Sequence, residues 1–239
     1  FLLFSIYSKY SIIINKKNLI ESVLSGVLFH GLYLGGVFYS ISIGMPTSIA
    51  ALIVTLQPIL TNILSGPILN EKVTLKQWIG VLLGFLGATL VLGLDLGSKI
   101  PLLGLVATLI ALISITASTI WQKKLSNNLP LSVSNFYQAV GGCFFHILVV
   151  IFFANPYIAL TKTFLLSMGH QIFLVSFGAF TILMFLIKKN SASKTVSIFF
   201  LIPATSALMA WFFLEESLTP IDLLGFLITS IGVYIATRD

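Results

Sequence analysis

The chain has 239 residues, 57% of them hydrophobic and 8% charged, with a mean hydropathy of +1.07. A soluble domain carries about 25% charged residues, so a water-soluble globule is excluded, and recurrent apolar runs of about 20 residues exclude the alternating strands of a β-barrel. The net charge of +6 is assigned to lysines that hold loops on the cytoplasmic side rather than to nucleic-acid binding, and the single cysteine, Cys143, cannot form a disulfide within the chain.

The chain opens with Phe inside an apolar segment, which predicts that an N-terminal part precedes it. Residues 1–7 read as the end of a helix, followed by a basic loop with Lys16 and Lys17. Complete helices are expected over 19–43, 47–69, 75–94, 101–122, 131–153, 168–187, 192–214 and 220–237. Thr74 with Gln77 forms a capping-box pattern at the start of the third. Pro101 suits the first turn of the fourth, and Thr219, Pro220 and Asp222 open the last with a cap, a proline and a carboxylate on the helix dipole. The expected fold class is therefore all-α: a polytopic membrane helix bundle of eight complete transmembrane helices plus a remnant.

One stretch occurs twice. An ungapped shift of 145 residues sets Ser48 on Ser193, Leu56 on Leu201, Pro58 on Pro203, Glu71 on Glu216, Thr74 on Thr219, Gly80 on Gly225, Leu82 on Leu227 and Gly87 on Gly232. Apolar matches are cheap, but the Pro, Glu, Thr, Gly, Gly set in one register implies an internal duplication, a mark of transporter folds. With the Lys16–Lys17 loop placed inside, eleven of the thirteen Lys and Arg residues fall on the cytoplasmic side and only Lys99 and Lys162 outside. The C-terminus is then cytoplasmic. The Glu71–Thr74 turn faces inward and the Glu216–Thr219 turn outward, so the repeat is inverted and supports alternating access. The 145-residue offset spans five helices. The whole is read as a ten-helix fold of two inverted five-helix repeats. Residues 1–97 hold what remains of the first (the end of its second helix and its third to fifth), and 98–239 hold the second.

These motifs resemble the EamA family of the drug/metabolite transporter superfamily. The carriers are SIAALIVTLQPILTNILSGPILNEKVTLKQWIGVLLGFLGATL and SKTVSIFFLIPATSALMAWFFLEESLTPIDLLGFLITSIGVYI. The resemblance implies a central cavity walled by the first four helices of each repeat, with the fifth at the periphery. It implies export or exchange of amino acids, other small metabolites or drugs, and relatives carry nucleotide sugars.

All seven carboxylates (Glu21, Glu71, Asp95, Glu215, Glu216, Asp222, Asp239) fall at expected helix ends or in loops, and no Lys or Arg lies mid-membrane. A deep charge usually marks an ion path, so a carboxylate proton relay and a multiply anionic substrate are disfavoured. A small neutral or zwitterionic solute fits better. Deep polar residues form helical stripes: Ser22, Gly26, His30 and Tyr33; Ser48, Thr55 and Asn62, with Gln57 beside Pro58; Ser114, Ser118, Trp121 and Gln122; Asn135, Gln138, Gly142 and His146. Such faces look inward, because lipid leaves polar groups unpaired. Either they let helices pack and hydrogen-bond, or they line a cavity. The cavity candidates are His30, Tyr33, Thr55, Gln57, Pro58, Asn62, Ser114, Ser118, Gln138, His146 and Pro203. His30 and His146 are the deep groups able to titrate near neutral pH. Pro58 and Pro203 each remove a backbone donor, leaving a kink, a hinge or a freed carbonyl. Glu71 and Glu216 are read as supports of turns and helix starts. Gly80, Gly84, Gly87 and the Gly31–Gly35 pair are read as packing residues, and Trp121 and Trp211 as interfacial.

No metal-ligand spacing and no nucleophile beside a base is found, so neither catalysis nor a cofactor or metal is expected. The expected setting is a bacterial inner membrane. The expected partners are a small-molecule solute and the lipid bilayer, with a second copy of the chain as a candidate and no nucleic acid. A membrane enzyme or a scaffold subunit is the competing class. A scaffold would have a dry core with its polar stripes fully paired, whereas a transporter would have a wet cavity.

Overall fold

The computed structural model describes residues 1–93, 99–153, 157–215 and 217–238, so Asp95, Glu216 and Asp239 lie outside the described residues. Every regular element among the described residues is helical. A short α1 (Leu2–Tyr7) precedes eight helices long and apolar enough to cross a membrane: α2 (Lys16–Ser42), α3 (Thr47–Leu69), α4 (Leu75–Leu92), α5 (Leu102–Ser126), α6 (Leu131–Phe153), α7 (Lys162–Lys189), α8 (Ala192–Phe213) and α9 (Pro220–Thr237). The largest departure from the sequence reading is at α7, which starts at Lys162 because the Thr161 side chain accepts from Phe164 N at 3.1 Å. A polar first turn hides that start from hydropathy. Asn15 does the same for α2, taking Asn18 N at 2.8 Å. α5 continues to Ser126, with Lys123 and Lys124 in a last turn where cations suit the dipole.

Packing divides the chain into two compact units, one of Phe1–Gly31 with Trp121–Asn190, the other of Leu32–Ile120 with Ser191–Asp239. In the first, the early part of α2 packs against α6 through glycines. A Cβ on Gly26 would strike the Gln138 backbone, one on Gly141 the Val23 backbone, and one on Gly31 the Phe145 ring at 2.7 Å. Phe180, Met184 and Ile187 form the apolar core there, joined by Phe29 and Leu131. Lys123 Nζ donates to the carbonyls of Ile187 (2.9 Å) and Asn190 (2.5 Å), placing a cation on the C-terminus of α7.

In the second unit α4 packs on α9 along the glycine seam. A Cβ on Gly80 would meet Gly232 O (2.6 Å) and Ala236, and one on Gly87 would meet Gly225 O (2.6 Å) and Thr229. The early end of α4 therefore lies beside the late end of α9, so the two run antiparallel. The pairing is reciprocal: Gly80 is the repeat mate of Gly225 and Gly87 of Gly232, yet Gly80 meets Gly232 and Gly87 meets Gly225. Swapped contacts of this kind are the signature of a two-fold relation, and they place the glycines of both copies in one packing seam. Phe200 lies over Gly84 and joins Val81, Ala88, Val233 and Ala236 in the core.

The repeat also shows in the backbone. α3 is interrupted at Thr55–Leu56 and α8 by a 3₁₀ turn at Ile198–Phe200, each just before its proline. The cause is local: Pro58 and Pro203 have no N–H to give and their rings crowd the preceding turn. Leu56 N turns instead to Ile53 O at 3.1 Å. α2 widens to π winding over Val27–Leu34 and α7 over His170–Ala179, which overlap at the same 145-residue shift. Asn70 (φ 57°) and Glu215 (φ 58°) end α3 and α8 in the left-handed region, also 145 apart. The capping boxes Thr74–Gln77 and Thr219–Asp222 complete the series.

Candidate functional site

In the second unit the polar face of α3 is buried from its break onward. Gln57, Thr61, Asn62 and Ser65 are each 3% exposed or less. Gln57 Nε2 donates to Thr119 Oγ1 on α5 at 3.0 Å, while Thr119 Oγ1 donates to Ile115 O at 2.9 Å. Ser193, in the first turn of α8, donates its hydroxyl to Asn62 Oδ1. That bond fixes the amide's orientation, and Asn62 Nδ2 is left buried without a partner, as is Thr61 Oγ1. Glu71 holds the start of α8: its carboxylate accepts from Ala192 N at 2.9 Å and from Ser193 N at 3.5 Å. An anion at a helix N-terminus is favourable. Glu71 is thus a support for a helix start, as read from sequence, but the helix is α8 rather than the adjacent α4.

The first unit holds a separate group. Gln122 on α5 and Gln138 on α6 form a reciprocal amide pair, with Gln138 Nε2 donating to Gln122 Oε1 (3.0 Å) and to Ser134 Oγ (2.9 Å), and Gln122 donating back. Ser5 donates to Ser132 at 2.7 Å. Asn135 is 1% exposed and neither end of its amide has a partner. His146 Nε2 donates to the His30 carbonyl at 3.0 Å, within the π segment of α2. The His30 ring is half-buried between Phe29 (5.1 Å) and Phe180 (5.0 Å).

Of the candidates read from sequence, Gln57, Pro58, Asn62, Ser114, Ser118, Gln138 and Pro203 are buried, whereas His30, Tyr33 and Thr55 are half-buried. Thr55 gives its hydroxyl to its own backbone, at Ala51 O, 2.7 Å. His146 is exposed on the surface of the fold although its ring nitrogen is held. The structure joins Gln57 to Thr119, Asn62 to Ser193, Gln138 to Gln122 and Ser134, and His30 to His146. Sequence reasoning passed over Thr61, Thr119 and Ser193 as site residues. Gln57, Thr61 and Ser65 recur at four-residue spacing, which is the signal that would have found Thr61. Thr119 sits one position off the Ser114–Ser118 stripe. Asn135 was seen in its stripe and not carried forward. Among the described residues no group of three His, Cys, Asp or Glu side chains could hold a metal ion.

Discontinuous helices in matching positions of a repeat, with buried uncharged polar groups beside them, are features of membrane transporter folds. The chain belongs to the EamA-like transporter family, whose model matches residues 1–93 and 102–238. It is 28% identical to the uncharacterized transporter YvbV of Bacillus subtilis strain 168 over 88% of this chain and 68% of that protein. It is 24% identical to an Escherichia coli K12 protein named as a probable amino-acid metabolite efflux pump, over 83% of this chain and 70% of that one. A solved crystal structure shares the fold with a TM-score of 0.81 at 13% identity, covering 98% of this chain and 81% of the other.

Proposed function

We propose that the protein exports or exchanges a small neutral or zwitterionic metabolite, such as an amino acid, across a bacterial inner membrane by alternating access. The observation that carries this reading is the chemistry of the buried groups. The hydrogen-bonding capacity inside both units comes from uncharged Gln, Asn, Ser and Thr, and part of it is unspent, at Asn62 Nδ2, Thr61 Oγ1 and Asn135. An unpaired polar group is costly in a bilayer, so a core that keeps several is built to receive hydrogen bonds from outside the protein. Glu71 and Asp222 are engaged at helix starts, which leaves them occupied away from a multiply charged ligand. The name of the Escherichia coli relative agrees with this solute class. The lysine distribution supports a cytoplasmic C-terminus. The breaks in α3 and α8 give each repeat, 1–97 and 98–239 in this reading, one point at which a span bends without losing the ladder on either side.

The test is flux in proteoliposomes, with labelled amino acids and their neutral derivatives, with and without a proton gradient. Saturable flux of one solute class is the expected result. Absence of flux for every solute, in protein shown to be monodisperse and folded, would overturn the reading in favour of a scaffold.

A further inference from the structure

Asn135 is an anomaly inside an otherwise satisfied polar group. On α6, Ser132 is taken by Ser5, Ser134 by Gln138, and Gln138 by Gln122. Each of those pairs is what helix packing asks of buried polar side chains. Asn135 stands among them at 1% exposure with both Nδ2 and Oδ1 unpaired. Among the described residues the other orphaned side chains have one unpaired atom each, at Ser22, Thr61, Asn62, Thr181 and Thr229. A hydroxyl can relax onto its own helix carbonyl, as Thr116 and Thr119 do. A primary amide is too wide to relax that way, and leaving both its ends bare is the most expensive arrangement available to it.

We infer that Asn135 is a solute-binding residue that recognises a zwitterion from both sides, its amide N–H donating to the solute carboxylate and its carbonyl oxygen accepting from the solute ammonium. The inference deepens the proposed function by naming a residue and the solute features it reads. One further feature favours it. The paired neighbours Gln122, Gln138 and Ser134 hold their own groups in place, so the amide that remains free sits on a fixed frame and loses little freedom on binding.

The experiment uses the reconstituted protein and three sets of probes matched in side chain: L-amino acids, the amines that lack their carboxylate, and the carboxylic acids that lack their ammonium. Uptake is measured together with the thermal midpoint of the protein in detergent, for wild type, Asn135→Leu and Asn135→Asp. The wild type is expected to carry only the zwitterions. In Asn135→Leu, an apolar near-isostere, zwitterion flux should fall by about ten- to hundredfold, the loss expected for hydrogen bonds to charged groups. The midpoint should stay level or rise, because two unsatisfied groups have been removed. Asn135→Asp repels the carboxylate and should shift the residual flux toward the amines. A lowered midpoint in Asn135→Leu would show that the amide is paired for structure, by a buried water for instance, and would overturn the inference. So would unchanged zwitterion flux in Asn135→Leu where the wild type carries zwitterions, which leaves the proposed function standing. A wild type that carries neutral solutes but no zwitterion overturns the inference alone, and one that carries no solute at all removes both.

Discussion

α3 and α8 hold the same place in the two copies of the repeat and break at the same register, but they differ in what they bury. Past the break α3 presents Gln57, Thr61, Asn62 and Ser65 to the interior. Their mates at the 145-residue shift are Ile202, Ser206, Ala207 and Ala210. Ile202 is 55% exposed. Of the buried polar groups on α8, Ser193 and Ser197 lie before its break, and Ser193 serves Asn62 of α3. The backbone of the repeat rests on a few residues with strong local effects: a proline, a left-handed terminus, a capping threonine, three glycines. Those are retained in both copies. Side chains between them carry no backbone duty, so one copy can become the polar partner while the other becomes its apolar support.

The glycine seam tests the part on which the copies agree, and the largest effects are expected there. Gly80→Leu sets a side chain into the α9 backbone at Gly232 and Ala236, and Gly225→Leu sets one into α4 at Gly87 and Val91. Overpacking costs about 1–3 kcal/mol where side chains can shift. Here the obstacles include backbone atoms, so the cost should be at or above that range. Both variants should lose monodisperse protein on size exclusion and lower the thermal midpoint alike, as mates in a two-fold seam must. A large difference between them would break the symmetry argument.

The part on which the copies differ predicts smaller changes in stability and larger ones in flux. Gln57→Leu removes the donor to Thr119, which keeps its bond to Ile115 O. Folding should therefore change by about 1 kcal/mol or less, while flux should fall about tenfold. Ile202→Ala, at the matching position, should leave flux within about twofold, since it deletes only methyl groups of an exposed apolar side chain that offers no hydrogen bond. His30→Leu keeps its carbonyl for His146 and alters only the ring. It should lower flux while leaving membrane insertion intact. Equal flux in Gln57→Leu and Ile202→Ala would mean that the polar face of α3 has no part in transport.

How much of this was legible beforehand follows from the range of the forces involved. The eight spans were legible because twenty-residue apolar runs and caps act locally. The starts of α2 and α7 were missed because Asn15 and Thr161 cap them outside the apolar run. The seam glycines were legible as packing residues, but not that Gly80 meets Gly232, since register between helices depends on contacts far apart in sequence. Among the buried polar residues, Asn62 could be picked out from its helix face and Gln57 from its place beside Pro58. Their partners Thr119 and Ser193 could not, because a hydroxyl on an apolar helix reads alike whether it bonds to its own backbone or across to an amide. His146 lies deep along α6, as read, and its side chain is exposed there; which way such a face looks is not decided by a stripe on a single helix.

The smallest effects concern the caps, where the copies agree in geometry and differ in one side chain. Thr74 Oγ1 accepts from Gln77 N at 3.3 Å, and Gln77 Oε1 accepts from Thr74 N at 2.7 Å. At the other copy Thr219 Oγ1 accepts from Asp222 N at 3.2 Å, and Asp222 Oδ2 accepts from Thr219 N at 2.8 Å. Replacing either threonine with alanine removes one backbone bond, at a cost of about 1 kcal/mol. The backbone term is the same in both, so the difference lies in the third residue. Asp222 is anionic on the positive end of α9 and also takes the Thr219 hydroxyl at 2.8 Å, whereas Gln77 is neutral. Thr219→Ala also removes the hydroxyl's bond to that carboxylate and should therefore cost slightly more than Thr74→Ala at low ionic strength, and added salt should shrink the gap by screening the charge of half-buried Asp222. Thermal midpoints of both variants in two salt concentrations check this. A gap that grows with salt would show that the carboxylate is not what distinguishes the two caps.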